Sequence, residues 1–349
     1  MAEGAIDGGL GERVRRLHEE AFIFDALTTS VIDEPFVDIL RKAGVDATNY
    51  TVSAVSVDHG VLVQDDFERA CRSIARWLRI LKDLSASIGL ARSVAEMQAL
   101  HRERRFAVFF GFQNASPIED NLDFLDVFHA LGVRFIQLTY NARNMVGNGS
   151  GERVDEGLSD FGVAAVQRMN ELGIVVDLSH CHYRTTMDAI ECSSMPVAFT
   201  HANARALADT PRNKSDEQVI ALARKGGVVG IKHMLGNTNT KQADETTVED
   251  LVDHVDHFVR LVGVDHVCIG TDFAGVSTRE ATHEERIAAI RSRWPNAYVG
   301  KRARPRGFET IADLPNLTAA LMRRGFSDDD IRKIYGENMV RFLEIVLRA

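Results

Sequence analysis

Residues 173–201, GIVVDLSHCHYRTTMDAIECSSMPVAFTH, hold the repeating unit of the fold. GIVVDL (173–178) and PVAFT (196–200) are apolar runs without strict polar alternation, the pattern of parallel strands buried on both faces. Between them 183–192 has helical spacing, so the stretch predicts strand, helix and parallel strand. Each apolar run ends in a polar cluster: Asp177-Leu178-Ser179-His180 after the first, Thr200-His201 after the second.

The unit recurs in both directions. Candidate strands are FIFD (22–25), TNYTVSAV (48–55), FAVFFG (106–111), VRFIQLT (133–139), the two just named, GGVVGIK (226–232) and HVCIGT (266–271). Helical stretches fall at 64–84, 120–131, 160–171, 183–192, 215–224 and 247–261, and the N-terminus is polar and then helical. Gly132, Gly173, Gly226 and Gly263 each sit between a helix and a strand, where glycine allows a left-handed C-cap. Eight alternating repeats without a break in composition predict an α/β fold, a single (β/α)8 TIM barrel over 1–349 with a C-terminal helical extension at 313–324 and 327–347. A polar insertion at 275–312, with Arg291, Arg293, Lys301, Arg302, Arg304 and Arg306 around Trp294 and Tyr298, reads first as a surface loop or oligomer contact and second as a lid.

Bulk properties narrow the partners. The formal net charge of −9 argues against nucleic acid and anionic membrane surfaces. Cys71, Cys181, Cys192 and Cys268 lack metal or disulfide spacing, so free thiols are expected. No apolar leader segment or membrane-length run is present, and a cytoplasmic protein is the expectation.

Barrel chemistry sits at the C-terminal strand ends. Those ends read Asp25-Ala26-Leu27-Thr28-Thr29, then Ser53 followed by Asp58 and His59, then Gln113-Asn114, Thr139-Tyr140-Asn141, Asp177 to His180, Thr200-His201, Lys232-His233 and Thr271-Asp272-Phe273. His180 and His201 lie at equivalent positions on adjacent strands, where two imidazoles can share a divalent ion. Asp272 adds a carboxylate able to move a proton at the same mouth. Taken singly, each histidine is equally a hydrogen-bonded core residue.

GLSDFG (157–162), LSH (178–180), FTHANARAL (199–207), PRNKSDE (211–217), IGTDFAG (269–275) and GENMVRFLE (336–344) resemble the membrane (renal) dipeptidase family of metal-dependent amidohydrolases, over about residues 20–345. The resemblance implies a hydroxide between two zinc ions, with His180 and His201 as ligands of the second. It implies Arg212 as the substrate-carboxylate arginine, Asp272 as the acid–base residue and a homodimer. Arg212 also reads as a surface ion pair, since it lies beyond strand six. The chain departs from the family pattern at strand one, where Leu27 and Thr29 replace a His and an Asp ligand. Gln113 replaces the bridging Glu, and Tyr140 replaces the strand-four His. Loss of the first metal site is therefore expected. His180 and His201, with Asp272 as third ligand, leave one zinc ion open.

Three functions follow. The first is a dipeptidase-type hydrolase acting on a dipeptide or similar carboxylated amide through one metal-activated water. Here Asp272 and Tyr140 are catalytic and Arg212, Gln113 and Asn114 bind substrate. The second is a divergent barrel enzyme for a non-peptide small acid without metal. The third is a non-catalytic binding protein.

Overall fold

The computed structural model describes residues 8–30, 32–58, 61–233, 245–273, 292–293 and 304–347. Strands β1 (Phe24–Thr28), β2 (Ala47–Ser53), β3 (Val55–Asp58), β4 (Val61–Gln64), β5 (Ile88–Leu90), β6 (Phe106–Phe112), β7 (Val133–Gln137), β8 (Val175–Asp177), β9 (Ala198–Ala202), β10 (Val228–Ile231) and β11 (Val267–Ile269) are formed. All eight expected barrel strands are among them. They run parallel in the order β1-β2-β6-β7-β8-β9-β10-β11. A bridge from Thr28 to Phe273 and a hydrogen bond from Asp272 N–H to Leu27 carbonyl (2.9 Å) bring the last strand's exit back to β1. β3 and β4 form an antiparallel hairpin outside the barrel, over a stretch that the sequence reading left mostly unassigned between the 48–55 strand and the 64–84 helix.

The parallel strands bury both faces, as their unbroken apolar character requires. One buried cluster draws on each of the eight strands: Phe24, Ala47, Phe109, Phe135, Val175, Ala198, Val228 and Cys268. Most of these open their strands, so the cluster fills the N-terminal end of the barrel. Phe342, Leu343 and Val346 of the C-terminal helix Asn338–Val346 pack against it. Neighbouring residues such as Val108, Phe110, Val176 and Phe199 face outward and form the second, larger core with the surrounding helices. Apolar packing thus closes one end and leaves polar strand ends at the other.

Helices arise where an apolar face meets a cap. Ser159 caps Asp160–Leu172 through the Gly162 N–H, and Gly173 ends that helix in the left-handed conformation (φ 68°). Gly263 departs from expectation: its φ is +88° but its ψ is 156°, so it turns the chain without a left-handed cap. All four cysteines are free, with Cys181 and Cys268 buried. No described helix is long and apolar enough to cross a membrane. His59, and the 275–312 insertion apart from 292–293 and 304–312, lie outside the described residues.

Two glycines let the barrel close around Thr200. A Cβ on Gly230 would lie 2.1 Å from the Thr200 carbonyl oxygen, and one on Gly270 would lie 1.7 Å from it. Neither backbone position can yield, because Thr200 sits within β9. Gly270→Ala is therefore expected to lower the unfolding free energy by about 1–3 kcal/mol in urea denaturation. Gly9→Ala, with open space around it, should cost nothing. Equal midpoints for Gly270→Ala and the unmodified protein would contradict this packing.

Candidate active site at the barrel mouth

The mouth is organised by a buried carboxylate. Asp177, the last residue of β8, accepts four hydrogen bonds. Ser179 gives it a backbone N–H (3.0 Å) and a hydroxyl (2.5 Å) at Oδ1, and Thr200 gives a backbone N–H (3.1 Å) at Oδ1 and a hydroxyl (2.6 Å) at Oδ2. Burial pushes the Asp177 carboxyl above its usual range, and these donors oppose that shift. Ser179 Oγ then accepts the His201 N–H at 3.1 Å. The Asp-x-Ser turn after β8 and the Thr-His end of β9 are thus locked together.

This lock sets the proton on His201. The Thr200 hydroxyl hydrogen goes to Asp177, so its oxygen, 2.9 Å from His201 Nδ1, accepts. His201 therefore carries its proton on Nδ1 and turns the Nε2 lone pair toward His180 Nε2, 3.0 Å away. Two neutral rings bond at that distance only if His180 is protonated on Nε2. His180 Nδ1 lies 2.8 Å from Asn141 Oδ1, which also faces the Ser150 hydroxyl (3.1 Å); with His180 protonated on Nε2 a half-turn of that amide presents its –NH2 to Nδ1 and to Ser150 Oγ. Tyr140 stacks on the His180 ring at 4.4 Å between centroids and 21° between planes, which fixes the ring's orientation. Burial, followed by the Arg212 charge, holds His180 well below the usual histidine range. Burial alone dominates for His201, and Asp272 opposes it.

The PRNK segment supplies two buried cations. Lys214 is 1% exposed, and its Nζ donates to the Leu178 (2.7 Å) and Cys181 (3.0 Å) carbonyls, bracketing the turn that carries His180. Its ammonium lies 4.9 Å from the Phe199 ring centre, and burial lowers its pKa to about 7. Arg212 is 2% exposed and gives Nη1 to the Ser179 carbonyl. Its Nε and Nη2 are buried without a hydrogen-bond partner. This corrects the surface ion-pair alternative: Arg212 is an interior guanidinium whose two-toothed edge is unsatisfied.

The strand-one end is committed to protein partners. Asp25 accepts from Thr271 N–H (2.7 Å) and Thr271 hydroxyl (2.5 Å), and burial raises its pKa to about 7. Leu27 is 1% exposed. The hydroxyls of Thr28 (3.1 Å), Thr29 (3.3 Å) and Ser30 (2.9 Å) all point to the Phe273 carbonyl. Asp272 follows with φ +54°, in the left-handed region, and its Oδ2 lies 3.0 Å from Lys232 Nζ. His233 donates Nδ1–H to the Thr271 carbonyl and stacks on Phe273 at 3.9 Å, a structural arrangement. Arg304, within the insertion, lies over the same ring, with Cζ 5.9 Å from the Phe273 ring centre.

The remaining expected residues divide. Gln113 is buried and its Nε2 is without a partner. Asn114 donates to Gln64 Oε1 (3.0 Å) and accepts from Ser116 N–H (3.2 Å) and Asn144 Nδ2 (2.9 Å), which makes it a loop organiser. Sequence reasoning singled out His180, His201, Arg212 and Asp272 and passed over the roles of Asp177, Ser179, Thr200 and Lys214. The usable signal was hydroxyl residues next to histidines on both strands, with an Asp two residues before Ser179.

Among the described residues the donors at the mouth number two imidazoles. Catalytic zinc takes three protein ligands. Among the described residues no group of three His, Cys, Asp or Glu side chains is placed to hold a metal. His180 and His201 offer two nitrogens, and the expected third ligand, Asp272, is ion-paired with Lys232.

A family model described as membrane dipeptidase (Peptidase family M19) matches residues 24–287 and 295–349. Dipeptidase tcpJ of Claviceps purpurea is 29% identical over 290 residues, 82% of this chain and 61% of that protein. Dipeptidase verJ of Clonostachys rogersoniana is 30% identical over 270 residues, 76% of this chain and 62% of that one. The chain thus spans about three fifths of the length of the curated relatives it matches. A crystal structure of an amidohydrolase from Pseudomonas aeruginosa is 31% identical with a TM-score of 0.85, covering 96% of this chain and 99% of that one.

Nitrogen-15 NMR of the imidazoles near pH 7 is expected to find both rings neutral, His201 protonated on Nδ1 and His180 on Nε2. Because both pKa values are depressed, neutrality supports folding above about pH 6.5 and that support drains as pH falls toward the folded-state values. Nδ1 protonation of both rings, the pattern of paired metal ligands, would contradict the assignment.

Proposed function

The chain belongs to the membrane dipeptidase family, Peptidase family M19, and from that premise we propose that it hydrolyses a small carboxylated amide of the dipeptide class. The observation that carries this reading is the Nε–Nη2 edge of Arg212, buried and without a protein partner. An unsatisfied buried guanidinium is costly, and a carboxylate meets that edge with two parallel charge-assisted hydrogen bonds. Arg212 is tied by Nη1 to the carbonyl of Ser179, the residue before His180, which sets its guanidinium on the turn that carries His180, one ring of the imidazole pair. Relatives called dipeptidases and the amidohydrolase-like fold support amide hydrolysis as the reaction.

The residues divide the work as follows. Arg212 anchors the substrate carboxylate. Asp272 accepts a proton from the attacking water and returns it to the amine nitrogen as the C–N bond breaks. Tyr140 stacks on the His180 ring and holds it flat. Gln113 Nε2, also unsatisfied, offers a neutral donor to substrate. The family is metal-dependent, and among the described residues the two imidazoles of His180 and His201 are the donors that face one another at the mouth.

A second reading shares the anchor and changes the reaction. Leu27 and Thr29, where the family pattern has metal ligands, favour a non-peptide small acid as substrate on the same Arg212 edge.

Arg212→Met is expected to lower kcat/KM on dipeptides by about 10- to 100-fold, the worth of a lost charge-assisted pair. Substrates with an amidated C-terminus should lose the same factor with the unmodified protein and no more with Arg212→Met. Arg212→Lys should not rescue, since an ammonium lacks the fork. Equal turnover of amidated and free dipeptides would overturn the anchor. Absence of any dipeptide turnover, with carboxylate binding intact by calorimetry, would select the second reading.

A further inference from the structure

We propose that Lys232 takes the place of metal in this site, so that the barrel mouth is a metal-independent centre whose cation is an ammonium held by Asp272. For its substrate class the proposal rests on the function argued above; for its chemistry of charge it rests on the geometry alone.

Lys232 follows β10 directly and is 6% exposed. Its backbone is pinned from both sides by one side chain: Asn203 Nδ2 donates to the Lys232 carbonyl (3.0 Å), and the Lys232 N–H donates to Asn203 Oδ1 (3.2 Å). The ammonium is then 3.0 Å from Asp272 Oδ2, with side-chain exposures of 8% and 13%. This is the carboxylate that the two imidazoles would need as a third zinc ligand. Asp272 is itself fixed, because its N–H is bound to the Leu27 carbonyl at 2.9 Å.

Charge balance favours the same conclusion. Buried charges unpaired by opposite charge are strongly unfavourable. The charges that act most on the imidazole pair are three cations, Arg212, Lys214 and Lys232, and one carboxylate, Asp272, held by Lys232. A dication added beside His180 and His201 would enlarge that excess of positive charge, next to a guanidinium edge that already lacks a partner. One monoanionic substrate carboxylate, by contrast, satisfies Arg212 and reduces the excess.

The strand-one end has been rebuilt in a compatible way. Leu27 is a buried apolar residue, and the Thr29 hydroxyl is turned onto the Phe273 carbonyl. Asp25 is bound to Thr271 through two hydrogen bonds, so it serves to hold the chain that carries Asp272. What remains at the mouth is a fixed positive charge beside a polarisable pair of rings, which can stabilise negative charge developing on a carbonyl oxygen.

The test is a calorimetric titration of Zn²⁺ into protein stripped by chelator, alongside turnover and binding of N-acetylglycine as a carboxylate probe. The unmodified protein should show no saturable zinc site that His201→Ala removes, and chelator should leave turnover unchanged. Lys232→Met removes the ammonium, and zinc added to this variant should not restore its turnover. The same variant should lose about 100-fold in kcat, as when a transition-state donor is removed, while N-acetylglycine binding at Arg212 is kept. Lys232→Gln serves if the methionine variant does not fold. One tight zinc per unmodified chain, lost in His201→Ala, would overturn the proposal, as would unchanged kcat in both Lys232 variants. If dipeptide turnover is absent throughout, the function above fails while the zinc titrations still decide this proposal.

Discussion

A single buried carboxylate, Asp177, sets the geometry on which the rest of the mouth depends. Its four hydrogen bonds come from two consecutive strand ends, so β8 and β9 cannot shift past one another without breaking them. Because Asp177 takes the Thr200 hydroxyl hydrogen, Thr200 can only accept from His201, and the direction of the His201 lone pair follows. The packing of Gly230 and Gly270 against the Thr200 carbonyl serves the same end from the opposite side. Backbone closeness, carboxylate and imidazole form one continuous constraint.

The cations of the PRNK segment belong to that constraint. Lys214 and Arg212 donate to the Leu178, Ser179 and Cys181 carbonyls, three acceptors within one turn. The chain leaves the β8 ladder there, where only the Leu178 carbonyl also takes a turn hydrogen bond, from the Cys181 N–H (3.2 Å), and a buried acceptor left unmet would be unfavourable. Lys214 is fully used by this task. Arg212 is only half used, and its remaining edge is what turns a structural feature into a site.

The barrel was legible because its strands are unbroken apolar runs and its helices have clear faces and caps. The β3–β4 hairpin was not, since VSVD and VLVQ carry too few residues to separate a short hairpin from a loop. Of the site, the histidines and Asp272 could be named from their places at strand ends. The partner of Asp272 could not, because Lys232 and Asp272 are 40 positions apart and meet only through the register of β10 with β11. The engagement of Asn114 with Gln64 and Asn144 was likewise hidden, as it depends on two loops that sequence does not place.

The account stands most directly on where a ligand's carboxylate goes. A crystal structure with a non-hydrolysable phosphinate analogue of a dipeptide should show that carboxylate in two parallel hydrogen bonds with Nε and Nη2 of Arg212, its backbone directed toward His180 and His201. A carboxylate bound elsewhere, with the Arg212 edge still unsatisfied, would contradict it.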